Sequence, residues 1–266
     1  MDIKSNYLIY FSPTEGTRKV VRGIASGTGL EAVELDFTIL RSAPAAPVFQ
    51  SDDLVIIGLL VYVGRIPLVA LPYLSTLRGD NTPCILVGTY GNRHYDDMMV
   101  ELEDLVREQG FVPVGAAIFA AEHSFSDELA PGRPNADDVR CAEEFGKRVQ
   151  EKLMVAPAAA PLAPGSIPGG RPYRIPYNSD RPTPAFGPVV SEACINCGSC
   201  AERCPTGAID PNDVRTIDAT RCIKCRACVK VCPVEAIDIE VSGFWEHVDH
   251  LIHEYGSKQP DPVFVV

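Results

Sequence analysis

Eight of the ten cysteines in this 266-residue chain lie between positions 194 and 232, in two copies of one pattern. The first copy is Cys194, Cys197, Cys200 and Cys204, followed by Pro205. The second is Cys222, Cys225, Cys228 and Cys232, followed by Pro233. Each reads C-x2-C-x2-C-x3-C-P. Thiolates are soft metal ligands, and two-residue gaps let a short loop turn its amides towards a compact metal group. Three chemistries compete for such a set. Paired CxxC units bind structural zinc, but a tetrahedral ion leaves the third cysteine and the Cys-Pro of each run without a task. A disulfide framework would use eight cysteines, yet nothing else in the chain marks a secreted protein. Two cubane iron–sulfur clusters use all eight. The segments behind the runs repeat too, Thr206-Gly207-Ala208-Ile209-Asp210 beside Val234-Glu235-Ala236-Ile237-Asp238.

A second group of chemistry-bearing residues lies in the N-terminal half, at the ends of apolar runs. Asn6 to Phe11 reads as a buried strand and leads into Ser12-Pro13-Thr14-Glu15-Gly16-Thr17, then a helix from Arg18 to Ser26. A hydroxyl-rich turn at a helix N-terminus can cradle a phosphate with backbone amides. The same residues also cap helices that bind nothing. Ala32 to Phe37 alternates as a second strand. Asp53 to Val61 is nearly all apolar, as in a parallel strand covered on both faces, and ends in Tyr62-Val63-Gly64-Arg65. Pro83 to Gly88 ends in Thr89-Tyr90-Gly91-Asn92, with Tyr95 and Asp97 close behind. Phe111 to Ala121 ends in Glu122-His123-Ser124. Helical patterns follow the fourth strand (Met98, Leu102, Leu105, Val106) and the fifth (Asn135 to Val155). Strands alternating with helices predict an α/β fold with a doubly wound parallel sheet. Ligands in that architecture bind beyond the carboxyl ends of the strands.

The two cysteine runs resemble a two-[4Fe–4S] bacterial-type ferredoxin domain, a small α+β unit. That resemblance implies one cluster on Cys194, Cys197, Cys200 and Cys232, and another on Cys222, Cys225, Cys228 and Cys204. Residues 1 to about 153 resemble a flavodoxin with its five-stranded sheet. The whole chain is similar to the fused flavodoxin–ferredoxin proteins of anaerobic bacteria and archaea. The resemblance implies FMN, with Ser12, Thr14, Gly16 and Thr17 at its phosphate. Tyr62, Val63, Gly64 and Arg65 would form one isoalloxazine loop; Thr89, Tyr90, Gly91, Asn92 and Tyr95 would form the other. Glu15 stands where that family usually has glycine, which would set a carboxylate near the phosphate. The implied activity is electron transfer between two [4Fe–4S] clusters and FMN, and on to a redox protein partner. The alternative is a flavin-dependent reductase of a quinone, nitro compound or O2, with Tyr62, Tyr90 or His123 as proton donor.

The expected organisation is a flavodoxin-like domain over 1–155 and a Pro-rich linker over 156–188, followed by the ferredoxin-like domain over 189–241 and a C-terminal helix and tail over 242–266. Nine prolines in the linker rule out helix or interior strand there. A linker this long can fold the cluster domain over its own flavin loops or deliver it to a second copy, and the homodimer is slightly favoured. A net charge of −11 argues against nucleic acid as partner. The longest apolar run is too short to insert in a membrane, and no signal peptide precedes the first strand, so the expected location is cytoplasmic. His247, His250 and His253, spaced by three on the last helix, read as a solvated face. Cys84 and Cys141 read as inert thiols.

Overall fold

The computed structural model describes residues 2–155, 160–173 and 185–266. Its larger part is a sheet of β1 (Ser5–Tyr10), β2 (Ala32–Asp36), β3 (Asp53–Leu60), β4 (Thr82–Tyr90) and β5 (Phe111–Ala120). These strands run parallel in the order β2-β1-β3-β4-β5. That order defines the flavodoxin-like doubly wound class and puts the topological switch point between β1 and β3. β3 is buried along its length except at Leu60, because helices cover both faces. α1 (Gly16–Thr28) and α3 (Ala136–Val155) bury Val20, Val21, Ile24, Ala142, Phe145 and Val149 on one side. α2 (Met98–Glu108) buries Met98, Met99, Leu102 and Val106 on the other. α1 reaches the sheet because position 58 is glycine. A Cβ on Gly58 would lie 2.3 Å from Val21 Cγ1 and would push the helix away.

The small C-terminal module is framed by β6 (Val189–Val190) and β7 (Ile237–Asp238), paired antiparallel. Between them, α4 (Ser199–Glu202) and α5 (Ala227–Lys230) supply one short turn to each cysteine run. α6 (Ser242–Tyr255) then buries Phe244, Val248 and Leu251, with Phe244 4.8 Å from Phe125 of the flavodoxin-like domain. The last residues are not a simple tail. β8 (Val263–Val265) pairs antiparallel with β5, making the sheet six-stranded. Its Phe264 ring lies 5.6 Å from Phe119 and 5.1 Å from Phe145. A Val-Phe-Val segment thereby covers the hydrogen-bonding edge that β5 would expose.

Much of the expected linker is a packed strap. Leu162 and Ile167 enter the core, and the Gly170 amide donates to Asp97 Oδ1 at 3.0 Å. Arg171 pairs with Glu103 and Asp104 of α2, and the Tyr173 ring lies 4.2 Å from the Arg65 guanidinium. The rest of the linker, including Arg174 to Tyr177, lies outside the described residues. Among the described residues, no helix is long and apolar enough to cross a membrane.

Candidate cofactor sites

The two cysteine runs adopt one backbone twice. Asn196, Gly198 and Gly207 have positive φ, and so do their counterparts Lys224, Arg226 and Glu235. The amides of Asn196 and Lys224 each donate to the first sulfur of their run, Cys194 and Cys222, at 3.4 Å. Those of Ala208 and Ala236 donate to the last, Cys204 and Cys232, at 3.2 Å. Such loops present N–H groups to anionic sulfur. The chain then exchanges its fourth cysteines. Cys204, Cys222, Cys225 and Cys228 line one cavity, and Cys194, Cys197, Cys200 and Cys232 line a second. Among the described residues, no three His, Cys, Asp or Glu side chains converge on a single-ion site. Thiols spread round two cavities fit cubane clusters, whose corners stand farther apart than the ligands of zinc.

Burial pushes the Cys225 thiol up to about 12 and raises Cys222, Cys228 and Cys200 as well. Hydrogen bonding with Ser199 lowers that of exposed Cys197. Buried thiols give up protons only to a strong cation, so loading iron must release them.

At the carboxyl ends of β1, β3, β4 and β5 opens a cavity of about 460 Å³. Ser12, Thr14, Gly16, Thr17, Tyr62, Val63, Gly64, Thr89, Tyr90 and Gly91 are in its wall. The phosphate-type loop is preorganised. Ser12 N donates to Thr38 Oγ1 at 2.8 Å, and Ser12 Oγ accepts from Arg18 N at 3.1 Å. Thr17 and Thr89 share a 2.7 Å hydroxyl hydrogen bond. The amides of Thr14, Gly16 and Thr17 have no acceptor among the described residues. Three unpaired N–H groups at a helix N-terminus suit a phosphate dianion. Tyr62 to Arg65 form a tight turn closed by two 2.9 Å backbone bonds, with Val63 and Gly64 both at positive φ. Opposite, Gly91 leaves room for His123; a Cβ there would sit 2.2 Å from the imidazole. His123 Nδ1 accepts the Phe125 N–H at 3.1 Å, so the neutral ring carries its proton on Nε2. Burial, helped by His247, holds its pKa down at about 4.

Not every expected contact falls in this wall. Arg65 is buried against Glu101, with Nε to Oε2 at 2.8 Å, and braces the turn from behind. Asn92 donates to the carbonyls of Tyr255 and Lys258 at 2.8 and 3.1 Å, fastening the end of α6. Tyr95 packs edge-on against Tyr90 and stacks on His94. Glu15 occupies the glycine position with φ of 68°, but its carboxylate leaves the cavity to pair with Arg18 and with Arg203 of the cluster module. Arg93, expected near the ring, and Glu122, at the end of the fifth strand, are in the wall; Phe125, His247 and Leu251 line it without having been expected to. His247 and Leu251 belong to α6. Only their four-residue spacing hinted that they share a face; which helix would roof the cavity is a tertiary fact.

The cluster module touches the flavodoxin-like domain at several points, in the segments after β2 and β5. Leu40 N donates to Pro205 O at 3.0 Å, and Arg41 Nη1 to Cys204 O at 3.2 Å. Arg226 Nη1 donates to Phe125 O at 2.6 Å, and Lys230 pairs with Glu122 at 2.5 Å. Arg226 stands where the first run has Gly198, so only the second run carries this long anchor. The cavity of Cys204, Cys222, Cys225 and Cys228 is therefore the inner one. In the outer set Cys197 is exposed, beside Ile195 at 62% exposure.

Residues 193–236 match the family described as a 4Fe-4S dicluster domain. A ferredoxin of Megasphaera elsdenii is 46% identical over 29 residues, 11% of this chain, which spans 54% of that protein's length. An archaeal flavodoxin overlays 57% of this chain and 99% of its own, with TM-score 0.42 and 12% identity. Flavodoxin 2 of Bacillus cereus covers 56% of this chain and 99% of its own, with TM-score 0.42 and 16% identity. The chain thus joins a flavodoxin-like α/β domain, defined by its strand order, to a 4Fe–4S dicluster ferredoxin domain.

Proposed function

We propose that this chain is an iron–sulfur flavoprotein that relays electrons between FMN in the 460 Å³ cavity and two [4Fe–4S] clusters. The outer cluster would meet a redox protein partner, in the cytoplasm of an organism living without oxygen. The observation that carries the reading is the junction of the sites. Arg226, in the wall of the inner cluster cavity, bonds the Phe125 carbonyl in the wall of the flavin cavity. FMN supplies one- and two-electron chemistry, and each cluster one-electron chemistry. The residues would do the rest. The amides of Thr14, Gly16 and Thr17 bind phosphate, while Tyr62 and Tyr90 wall in the ring system. The outer face, with Cys197, Ile195, Val189 and Val234 exposed or partly so, offers the docking surface. The relay needs no second copy, because the module sits on the loops of its own chain. Anaerobic purification followed by heat release and chromatography tests the cofactors. About one FMN and about eight irons with eight sulfides per chain are expected; FAD, or zinc without acid-labile sulfide, contradicts the reading.

A second reading is favoured by His123, whose Nε2–H belongs to a ring in the cavity wall near His247. A small acceptor reduced at the flavin face would find a proton donor there. Sustained turnover with a quinone or nitro compound, lost in His123→Gln, would select it.

A further inference from the structure

The two cysteine runs share a backbone but not their charges. Where the first run has Asn196, the second has Lys224. Both hold left-handed φ, 53° and 57°, and both donate their amides to the first sulfur of the run. Lys224 is in the wall of the inner cavity, whereas among the described residues no lysine or arginine lines the outer one. Its half-buried side chain sets the ammonium over the Phe186 ring, 5.0 Å from the centroid. That ring belongs to the stretch Phe186-Gly187-Pro188, which runs along Cys222. A Cβ on Gly187 would lie 3.7 Å from Cys222 Cβ, and Pro188 is itself in the cavity wall. The charge is thereby kept beside the inner thiols. Among the described residues it has no carboxylate partner. Arg226, in the same wall, is met by Asp238 at 2.9 Å. An unpaired cation in such partly buried surroundings acts on its neighbours more strongly than one in water.

We propose that Lys224 raises the reduction potential of the inner cluster through its charge, and that Asn196, at the matching place, leaves the outer cluster without that aid. This rests on the iron–sulfur part of the function proposed above and not on the flavin. A cubane held by four thiolates becomes more negative when it takes one electron, here from the redox partner. A cation beside it therefore favours the reduced state. Burial of the inner thiols works the other way, and Lys224 offsets part of that effect. The electron is drawn towards the cluster next to the flavin cavity. Lys224 is a tuning residue: it makes no bond to the cluster, and none is made or broken at it.

The test is a redox titration of the anaerobically purified full chain followed by EPR, after assay of iron and sulfide. Lys224→Met keeps an unbranched stem on Phe186 and removes the charge; it should lower one cluster's midpoint and leave the other in place. Lys224→Arg keeps the charge and should leave both midpoints near wild type. Asn196→Lys copies the second run into the first, on a backbone that Lys224 already adopts there. It should raise the midpoint that Lys224→Met leaves alone, and it decides the matter if Lys224→Met fails to load iron. Unmoved midpoints in the loaded variants, equal shifts in both clusters, or Lys224→Arg behaving as Lys224→Met would overturn the proposal. Wild-type protein without clusters would overturn it together with the iron–sulfur reading. Protein with clusters and no flavin would sink the relay while leaving the Lys224 test intact.

Discussion

Glu15 lies in the phosphate-type loop, between Thr14 and Gly16. Its backbone adopts the left-handed conformation that glycine takes without cost, but its carboxylate pairs with Arg18 and Arg203 and turns from the cavity. Glu15→Gly should therefore change FMN affinity less than threefold, where a carboxylate beside the phosphate would predict marked tightening. Equilibrium flavin binding measures it. Relief of strain, worth about 1 kcal/mol, would offset loss of the partly exposed ion pairs. His123 offers a pH test. Its folded pKa of about 4 lies below the ordinary 6.5, so the unfolded chain binds more protons between those values. The stability it contributes is present above pH 6.5 and is lost as pH falls towards 4. Urea midpoints at pH 7 and pH 5 should converge in His123→Gln relative to wild type; an unchanged difference would contradict the burial.

At the scale of elements, the turn after β3 and the strand added by the C-terminus carry the account. Glu101 accepts from both Arg65 and the Ile66 amide at 2.9 Å. Glu101→Ala would strand the buried guanidinium, a loss of about 3–5 kcal/mol, visible as a lower thermal midpoint together with weaker flavin binding. β8 was not legible. Val263 to Val265 is too short to distinguish from a tail, and its pairing with β5 depends on a partner far away in sequence. Phe264→Ala should cost about 2 kcal/mol, since the ring is only part-buried between Phe119 and Phe145. β1, β3, β4 and β5 were legible because a covered parallel strand is apolar over most of its length, and β2, at the sheet edge, because it alternates. The cysteine sets were legible because their ligand spacing is local. Arg65, Asn92 and Tyr95 sit in the loops where the family resemblance put them, but which way a side chain leaves a loop depends on neighbours such as Glu101 and the end of α6.

Across the whole molecule, the question is whether the two modules act within one chain. The sequence left a folded-back arrangement and an exchanged dimer open, because a linker's reach does not set its path. In the structure Arg203, Arg226 and Lys230 of the cluster module bind Glu15, the Phe125 carbonyl and Glu122 of the same chain. These charges should make the docking sensitive to salt, although the apolar contact of Phe125 with Phe244 would keep the modules joined. The most direct test is flash reduction of the anaerobic holoprotein, following the flavin and cluster absorbances over a tenfold range of protein concentration. Flavin–cluster equilibration should be a single first-order process whose rate does not change across that range. A rate rising in proportion to concentration, or clusters that never exchange electrons with a bound flavin, would contradict a relay within one chain.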